Sequence, residues 1–126
     1  MQRPSAQPPG YPAMSSQVLT LTGLTGHYQS QSLQLTKDKV LVIGRDPASC
    51  NVLYPSDKSE DMIISSIHCK ISFNREKNKF VLTDARSTNG TFLQGGRQLQ
   101  PMEEIPLENG MEFYLANENN KFRVTL

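Results

Sequence analysis

Little in this chain marks it as cross-linked, strongly charged or greasy. Its 126 residues include two cysteines, Cys50 and Cys69, and its acids and bases nearly cancel to a net charge of +1. Two isolated cysteines build no disulfide framework, and their apolar, strand-like contexts make them read as small reduced core residues. So small a net charge excludes a nucleic-acid footprint and a basic stripe for a membrane surface. No apolar run approaches the ~18 residues of a membrane span. No charged segment followed by a short apolar one opens the chain as an export signal would. These absences predict a soluble, cytoplasmic protein, alone or as part of a larger one, with no nucleic acid and no direct membrane contact among its partners.

Signatures of catalysis and metal binding are missing as well. There is no G-x-S-x-G elbow and no Gly-x4-Gly-Lys phosphate loop. His68 beside Cys69, with Cys50 and His27 elsewhere, invites a zinc reading. Adjacent residues on a strand face opposite ways, however, and no C-x2–4-C or H-x3–5-H spacing occurs. The sequence predicts no enzyme, no metal and no cofactor. It also lacks any stripe at i, i+3, i+4, i+7 and any repeat of 20 to 50 residues, which disfavours helical and solenoid folds.

What is present has two parts. Residues 1–16 are rich in Pro, Ser, Gln and Gly and cannot bury enough apolar area to offset ordering, so they read as a disordered linker tethering a module to a longer chain. Residues 17–126 then form one domain, a length that can bury a core without staples. Leu33 and Leu35, Cys69, Ile71 and Phe73, Met111, Phe113 and Leu115, and Phe122, Val124 and Leu126 each alternate with polar residues. That period of two predicts half-buried strands. Residues 40–43 form a continuous apolar run, read as a central strand covered on both faces. Gly23, Gly26, Asn89-Gly90, Gly95-Gly96, Asn109-Gly110 and Asn119-Asn120 punctuate these runs as tight connections. Many short strands spaced by turns predict an all-β sandwich or barrel.

Three loop clusters carry polar chemistry: Gly44-Arg45-Asp46, Ser65-Ser66-Ile67-His68, and Ser87-Thr88-Asn89-Gly90-Thr91. A phosphothreonine brings about −1.5 to −2 charges and three acceptor oxygens. An arginine fork matches those oxygens in pairs, hydroxyls add shorter neutral bonds, and an Asn amide can grip a peptide backbone. Plainer readings stand beside these. Arg45 can be a surface residue pairing Asp46 or Asp57, the serines can bond their own turns, and Asn89-Gly90 suits a hairpin by itself.

The order Gly44-Arg45, then Ser65-Ser66-Ile67-His68, then Asp84-Ala85-Arg86-Ser87-Thr88-Asn89-Gly90-Thr91 resembles the forkhead-associated (FHA) domain over almost everything after the linker. The resemblance implies a two-sheet, antiparallel-rich β-sandwich of about eleven strands, FHA/SMAD-like, binding a phosphothreonine peptide through loops at one end. Arg45 and Ser65 then correspond to direct phosphate ligands, Ser66 to a shorter hydroxyl contact, Thr88 to a further ligand and Asn89 to the backbone clamp. Gly44, His68 and Gly90 correspond to supports of the site, the first permitting a turn and the second tying loops together. Preference for Thr over Ser would come from a small pocket for the extra methyl.

Arg86 is a candidate for a secondary peptide contact. The resemblance implies a monomeric module for signal transduction by protein-protein interaction, docking proteins phosphorylated in a Ser/Thr kinase pathway. The alternative is an interaction module of the same fold that ignores phosphate. Two departures bear on the choice. Ser66 stands where family members often carry a longer Asn or Arg. Residues 55–61 look longer than the usual loop and carry three acids, Asp57, Glu60 and Asp61, which predict a preference for basic residues in the ligand.

Overall fold

The alternating segments pair as ten strands in a computed structural model that describes residues 18–55 and 61–126. The proposed linker and most of the acidic stretch lie outside the described residues. In chain order the strands are β1 (Val18–Gly23), β2 (Ser32–Thr36), β3 (Leu41–Gly44), β4 (Val52–Leu53) and β5 (Cys69–Asn74). There follow β6 (Lys79–Asp84), β7 (Thr91–Leu93), β8 (Glu104–Pro106), β9 (Glu112–Leu115) and β10 (Lys121–Thr125). Two 3-10 turns, Gly26–Tyr28 and Glu118–Asn120, lie among the connections.

Two five-stranded sheets result, ordered β2-β1-β10-β9-β7 and β4-β3-β5-β6-β8. All pairings are antiparallel except β3 with β4. Parallel strands ordinarily need a long crossover. Here β4 is only two residues long, and Asn51 extends the ladder in its place. Its side chain accepts from the Val42 amide at 2.7 Å and donates to the Val40 carbonyl at 2.8 Å, as a strand backbone would.

The core lies between the sheets. Leu19, Leu21, Phe113, Leu115, Phe122 and Val124 come from one, and Ile43, Cys69, Ile71, Phe80 and Leu82 from the other. Three sequence expectations are corrected. Residues 40–43 are not covered on both faces: Leu41 and Ile43 are buried, but Val40 is exposed and Val42 half-buried. The cause is the two-layer architecture: each sheet is covered on the one face that meets the other sheet, so Leu41 and Ile43 enter the core while Val42 faces the open side. Cys50 is half-buried in a loop rather than in the core, and only Cys69 is fully buried; both are free thiols. Gly23 is the last residue of β1 rather than part of a connection, whereas Asn119-Asn120, in a 3-10 turn, does lie in the connection between the antiparallel β9 and β10. Gly90, Gly95, Gly96 and Gly110 do take positive φ, the conformation such turns require.

Candidate functional site

Three connections meet at one end of the sandwich: those between β3 and β4, β4 and β5, and β6 and β7. Arg45 follows the last residue of β3. Its backbone N–H donates to the carbonyls of Ser65 and Ser66 at 3.2 and 3.0 Å, fixing the first loop to the second. Gly44 makes this approach possible, because a Cβ there would stand 2.2 Å from the Ser66 carbonyl oxygen. Gly44 is therefore needed for close backbone contact rather than for the turn that the sequence suggested; it is not among the positive-φ glycines.

The Arg45 side chain is held by a main-chain acceptor. Its Nε donates to the Ile64 carbonyl at 2.5 Å, and one terminal nitrogen lies 3.6 Å from the Met62 sulfur. Asp46 does not pair with it. That carboxylate turns into its own loop, accepting from Ser49 Oγ at 2.7 Å and the Ala48 amide at 3.1 Å. The Ser49 hydroxyl, with the Ala48 amide, holds Asp46 below its ordinary carboxylate range. Among the described residues Arg45 joins no ion pair.

The second and third loops are joined by side chains. Ser65 Oγ accepts from the Thr88 amide at 2.9 Å, which leaves its own hydrogen to donate outward. Asn89 gives one amide hydrogen to the Ile63 carbonyl at 2.9 Å, leaving a second hydrogen and its carbonyl oxygen. Beneath them the buried His68 ring accepts the Ser65 amide on Nδ1 at 3.1 Å. Because an amide can only donate, the ring proton sits on Nε2 and is donated to the Gly90 carbonyl at 2.8 Å. Both ring nitrogens are thus occupied, and neither is open to a metal. Burial holds the imidazole below its ordinary range, against the opposing pull of the Gly90 bond and the Asp84 carboxylate.

Asp84, Ser87 and Thr91 form a support whose working the sequence did not reveal. The nearly buried Asp84 carboxylate accepts Ser87 Oγ at 2.5 Å, Thr91 Oγ1 at 2.7 Å and the Ser87 amide at 3.1 Å. Ser87 Oγ in turn accepts the Gly90 amide at 2.9 Å. This network shapes the turn that presents Thr88 and Asn89. The signal was present in the Asp-x-x-Ser-Thr-Asn-Gly-Thr spacing, because an acid three residues before a serine can accept from that serine's amide and hydroxyl. Gly90 closes the turn at φ +89°, where a Cβ would stand 2.7 Å from Gln98 Nε2.

Arg45, Ser65, Ser66, Thr88 and Asn89 all line one open depression of about 230 Å³, together with Met62, Ile63 and Ile64. Arg86, exposed at φ +61°, does not line it. A guanidinium, three hydroxyls and a carboxamide around one small open volume can bind a compact, multiply charged oxyanion on an extended chain.

A two-sheet sandwich with its chemistry on the loops at one end is the class of fold seen here. The family model for the FHA domain matches residues 41–116, and this chain belongs to that family. The FHA domain of an Arabidopsis thaliana hypothetical protein superposes with a TM-score of 0.74 at 22% identity, over 88% of this chain and 86% of that one. The N-terminal FHA domain of S. cerevisiae Rad53p, solved in complex with a phosphothreonine peptide, superposes with a TM-score of 0.67 at 24% identity, over 86% and 93%. Among curated relatives, the human sarcolemmal membrane-associated protein is 28% identical over 74% of this chain and 11% of its own length. The Xenopus laevis E3 ubiquitin-protein ligase CHFR is 34% identical over 66% of this chain and 12% of its own. The chain thus spans about a tenth of the length of the curated relatives it matches.

Proposed function

We propose that this chain is a phosphothreonine-peptide-binding module, a non-catalytic docking domain of a cytoplasmic signalling protein. Its domain runs over residues 17–126, with residues 1–16 as the tether. The observation that carries this reading is the convergence of Arg45, Ser65, Ser66, Thr88 and Asn89, from three loops, on one open depression. Arg45 and Ser65 take the phosphate directly, Ser66 and Thr88 add hydroxyl donors, and Asn89 holds the peptide backbone with the amide groups left free by Ile63. Gly44, His68 and Gly90 keep the loops in place. The partner is a protein phosphorylated on threonine by a Ser/Thr kinase. Met62 and Ile63 offer the apolar surface against which a threonine methyl, absent from serine, can rest. Discrimination against the plain peptide arises because polar groups gathered around an absent phosphate are left unpaired, at ~1–3 kcal/mol each.

Calorimetry with one peptide in phosphothreonine, phosphoserine and plain forms tests the reading. The phosphothreonine form should bind most tightly, and Arg45→Ala should weaken it about a hundredfold, on the scale of charge-assisted interface contacts. Arg45→Lys should recover only part, since an ammonium lacks both the Nε bond to Ile64 and the planar fork. Equal binding of phosphorylated and plain peptides would end the proposal.

A further inference from the structure

Two five-stranded sheets leave four edge strands, β2 and β7 in one and β4 and β8 in the other. An edge offers unpaired N–H and C=O groups to any extended chain, and sheets ordinarily blunt it by shortness, proline, charge or cover. Three of the edges here are blunted. β7 is three residues long and has residues 97–99 against it, the Leu93 amide on the Arg97 carbonyl at 2.8 Å and the Leu99 amide on the Thr91 carbonyl at 2.9 Å. β4 has two residues, and the Tyr28 hydroxyl takes the Leu53 carbonyl at 2.6 Å. β8 has three, among them Glu104 and Pro106. By contrast β2, Ser32-Leu33-Gln34-Leu35-Thr36, is five residues long and contains no proline, glycine or charge.

The ladder between β1 and β2 decides which of its backbone groups are open. The Gly23 amide donates to the Gln31 carbonyl at 2.9 Å. Bonded pairs recur at every second residue of an antiparallel ladder, so Leu21 bonds Leu33 and Leu19 bonds Leu35. Thr22 with Ser32 and Thr20 with Gln34 are then the non-bonded pairs, where side chains stand close, and Thr22 Oγ1 lies 3.2 Å from Ser32 Oγ. The N–H and C=O groups of Ser32, Gln34 and Thr36 therefore point away from β1, off the sheet. Among the described residues only the Thr36 carbonyl has a further partner, the Lys39 amide at 3.2 Å.

This edge is complementary to itself. When it meets a copy running the other way about a twofold axis at Gln34, Gln34 exchanges both backbone bonds with the partner's Gln34. Ser32 does the same with the partner's Thr36. Register about Gln34 also sets Leu33, which is half-buried, opposite the partner's Leu35 on the core side, and leaves Ser32, Gln34 and Thr36 on the exposed face. No like charges meet: Lys37, the first charge beyond the strand, falls opposite the partner's Gln31, and its ammonium is drawn over the Phe73 ring at 5.0 Å.

We propose that β2 is a self-association edge, pairing antiparallel with β2 of a second copy so that the two sheets become one. A homodimer then replaces the monomer that the family resemblance implied. The inference goes beyond the phosphothreonine reading and does not depend on it. The antiparallel arrangement sends the two Arg45 depressions to opposite ends of the pair, so self-association leaves both open.

Sedimentation of the chain over a concentration series tests this. A single strand pair buries less than the ~1,200 Å² of a stable interface, so half-dimerisation should fall at about 10–1000 µM. Gln34→Lys or Gln34→Glu alone should weaken it about tenfold or more, because the axis sets two like charges face to face. An equimolar mixture of the two variants should recover the dimer, which also shows that both are folded. Amide exchange supplies a second readout: as wild type is concentrated, the Ser32, Gln34 and Thr36 amides should slow while those of Leu33 and Leu35, already bonded to β1, stay unchanged. A chain that keeps the mass of one copy up to about 1 mM, the weak limit of specific association, overturns the inference. Slow Gln34 exchange in that monomer would assign the edge to a segment of the same chain instead. A dimer indifferent to Gln34→Lys, or a mixture that stays dissociated, overturns it as well. Phosphopeptide affinity per chain should be the same in all these variants, so the docking reading stands or falls separately.

Discussion

His68 Nδ1 accepts the amide hydrogen of Ser65 at 3.1 Å, so one uncharged ring sets the height of a proposed phosphate ligand. The same ring reaches the Gly90 carbonyl at 2.8 Å. A proton added to Nδ1 would place two N–H groups face to face.

That geometry fixes a pH dependence. Burial depresses the folded His68 below its ordinary value, which is near 6.5. Between the two values the unfolded chain binds more protons than the folded one, so stability rises with pH across the window. The contribution is complete above about pH 6.5 and is lost as pH falls toward the folded value, at up to ~1.4 kcal/mol per pH unit. Urea unfolding of the peptide-free protein from pH 7.5 down to 5 should show this loss, and His68→Gln should flatten it. An unaltered slope in the variant would assign the effect to other groups.

Asp84 should matter to stability more than any ligand residue. Asp84→Ala strands the buried Thr91 hydroxyl together with the Ser87 amide and hydroxyl. Loss of charge-assisted bonds of this kind should cost about 3 kcal/mol. Asp84→Asn, which keeps one acceptor oxygen, should cost less. Denaturant midpoints measure both, and a loss under about 1 kcal/mol for the alanine variant would mean that the turn holds without the carboxylate.

At Gly44 the obstacle is contact. An alanine Cβ would lie 2.2 Å from the Ser66 carbonyl oxygen and 2.9 Å from the Cys50 sulfur. Gly44→Ala should lose about 2 kcal/mol of stability through overpacking and weaken phosphopeptide binding by displacing Ser66. Gly95→Ala makes the contrast, because a Cβ there meets nothing within 4 Å at φ +95°. It should strain its hairpin by about 1–2 kcal/mol and leave peptide affinity unchanged. Calorimetry separates the two, and equal affinities would show that the Ser66 loop absorbs the methyl.

Tyr54 offers the opposite sign. Its ring is buried, and its hydroxyl finds no partner among the described residues. Burial also pushes the phenol well above its ordinary range. Tyr54→Phe removes a desolvated polar atom and nothing it holds, so melting should shift upward by the equivalent of about 1 kcal/mol. A downward shift would mean that the hydroxyl does have a partner.

The strands were legible where polar residues interrupt apolar ones. In β5, Cys69 and Ile71 are buried while Lys70 between them is exposed, as a period of two requires. Residues 40–43 misled because an unbroken apolar run carries no alternation and hence no information about which face is covered. The candidate site was legible as a spaced set of residue types. Its anchors were not: Arg45 leans on the Ile64 carbonyl and Asn89 on that of Ile63. Every residue has a carbonyl, so no letter of the sequence marks which one will serve.

By itself the sequence determined an all-β domain, its turns, and the kinds of side chain offered to a ligand. All of these depend on a residue and its near neighbours, through period, φ and donor inventory. Only the tertiary structure decided that Ser65 would meet Thr88 across 23 residues. It alone made Gly44 a point of contact rather than a bend. Those outcomes follow from strand register and from the approach of loops remote in the chain, which arises only when both sheets close on one core.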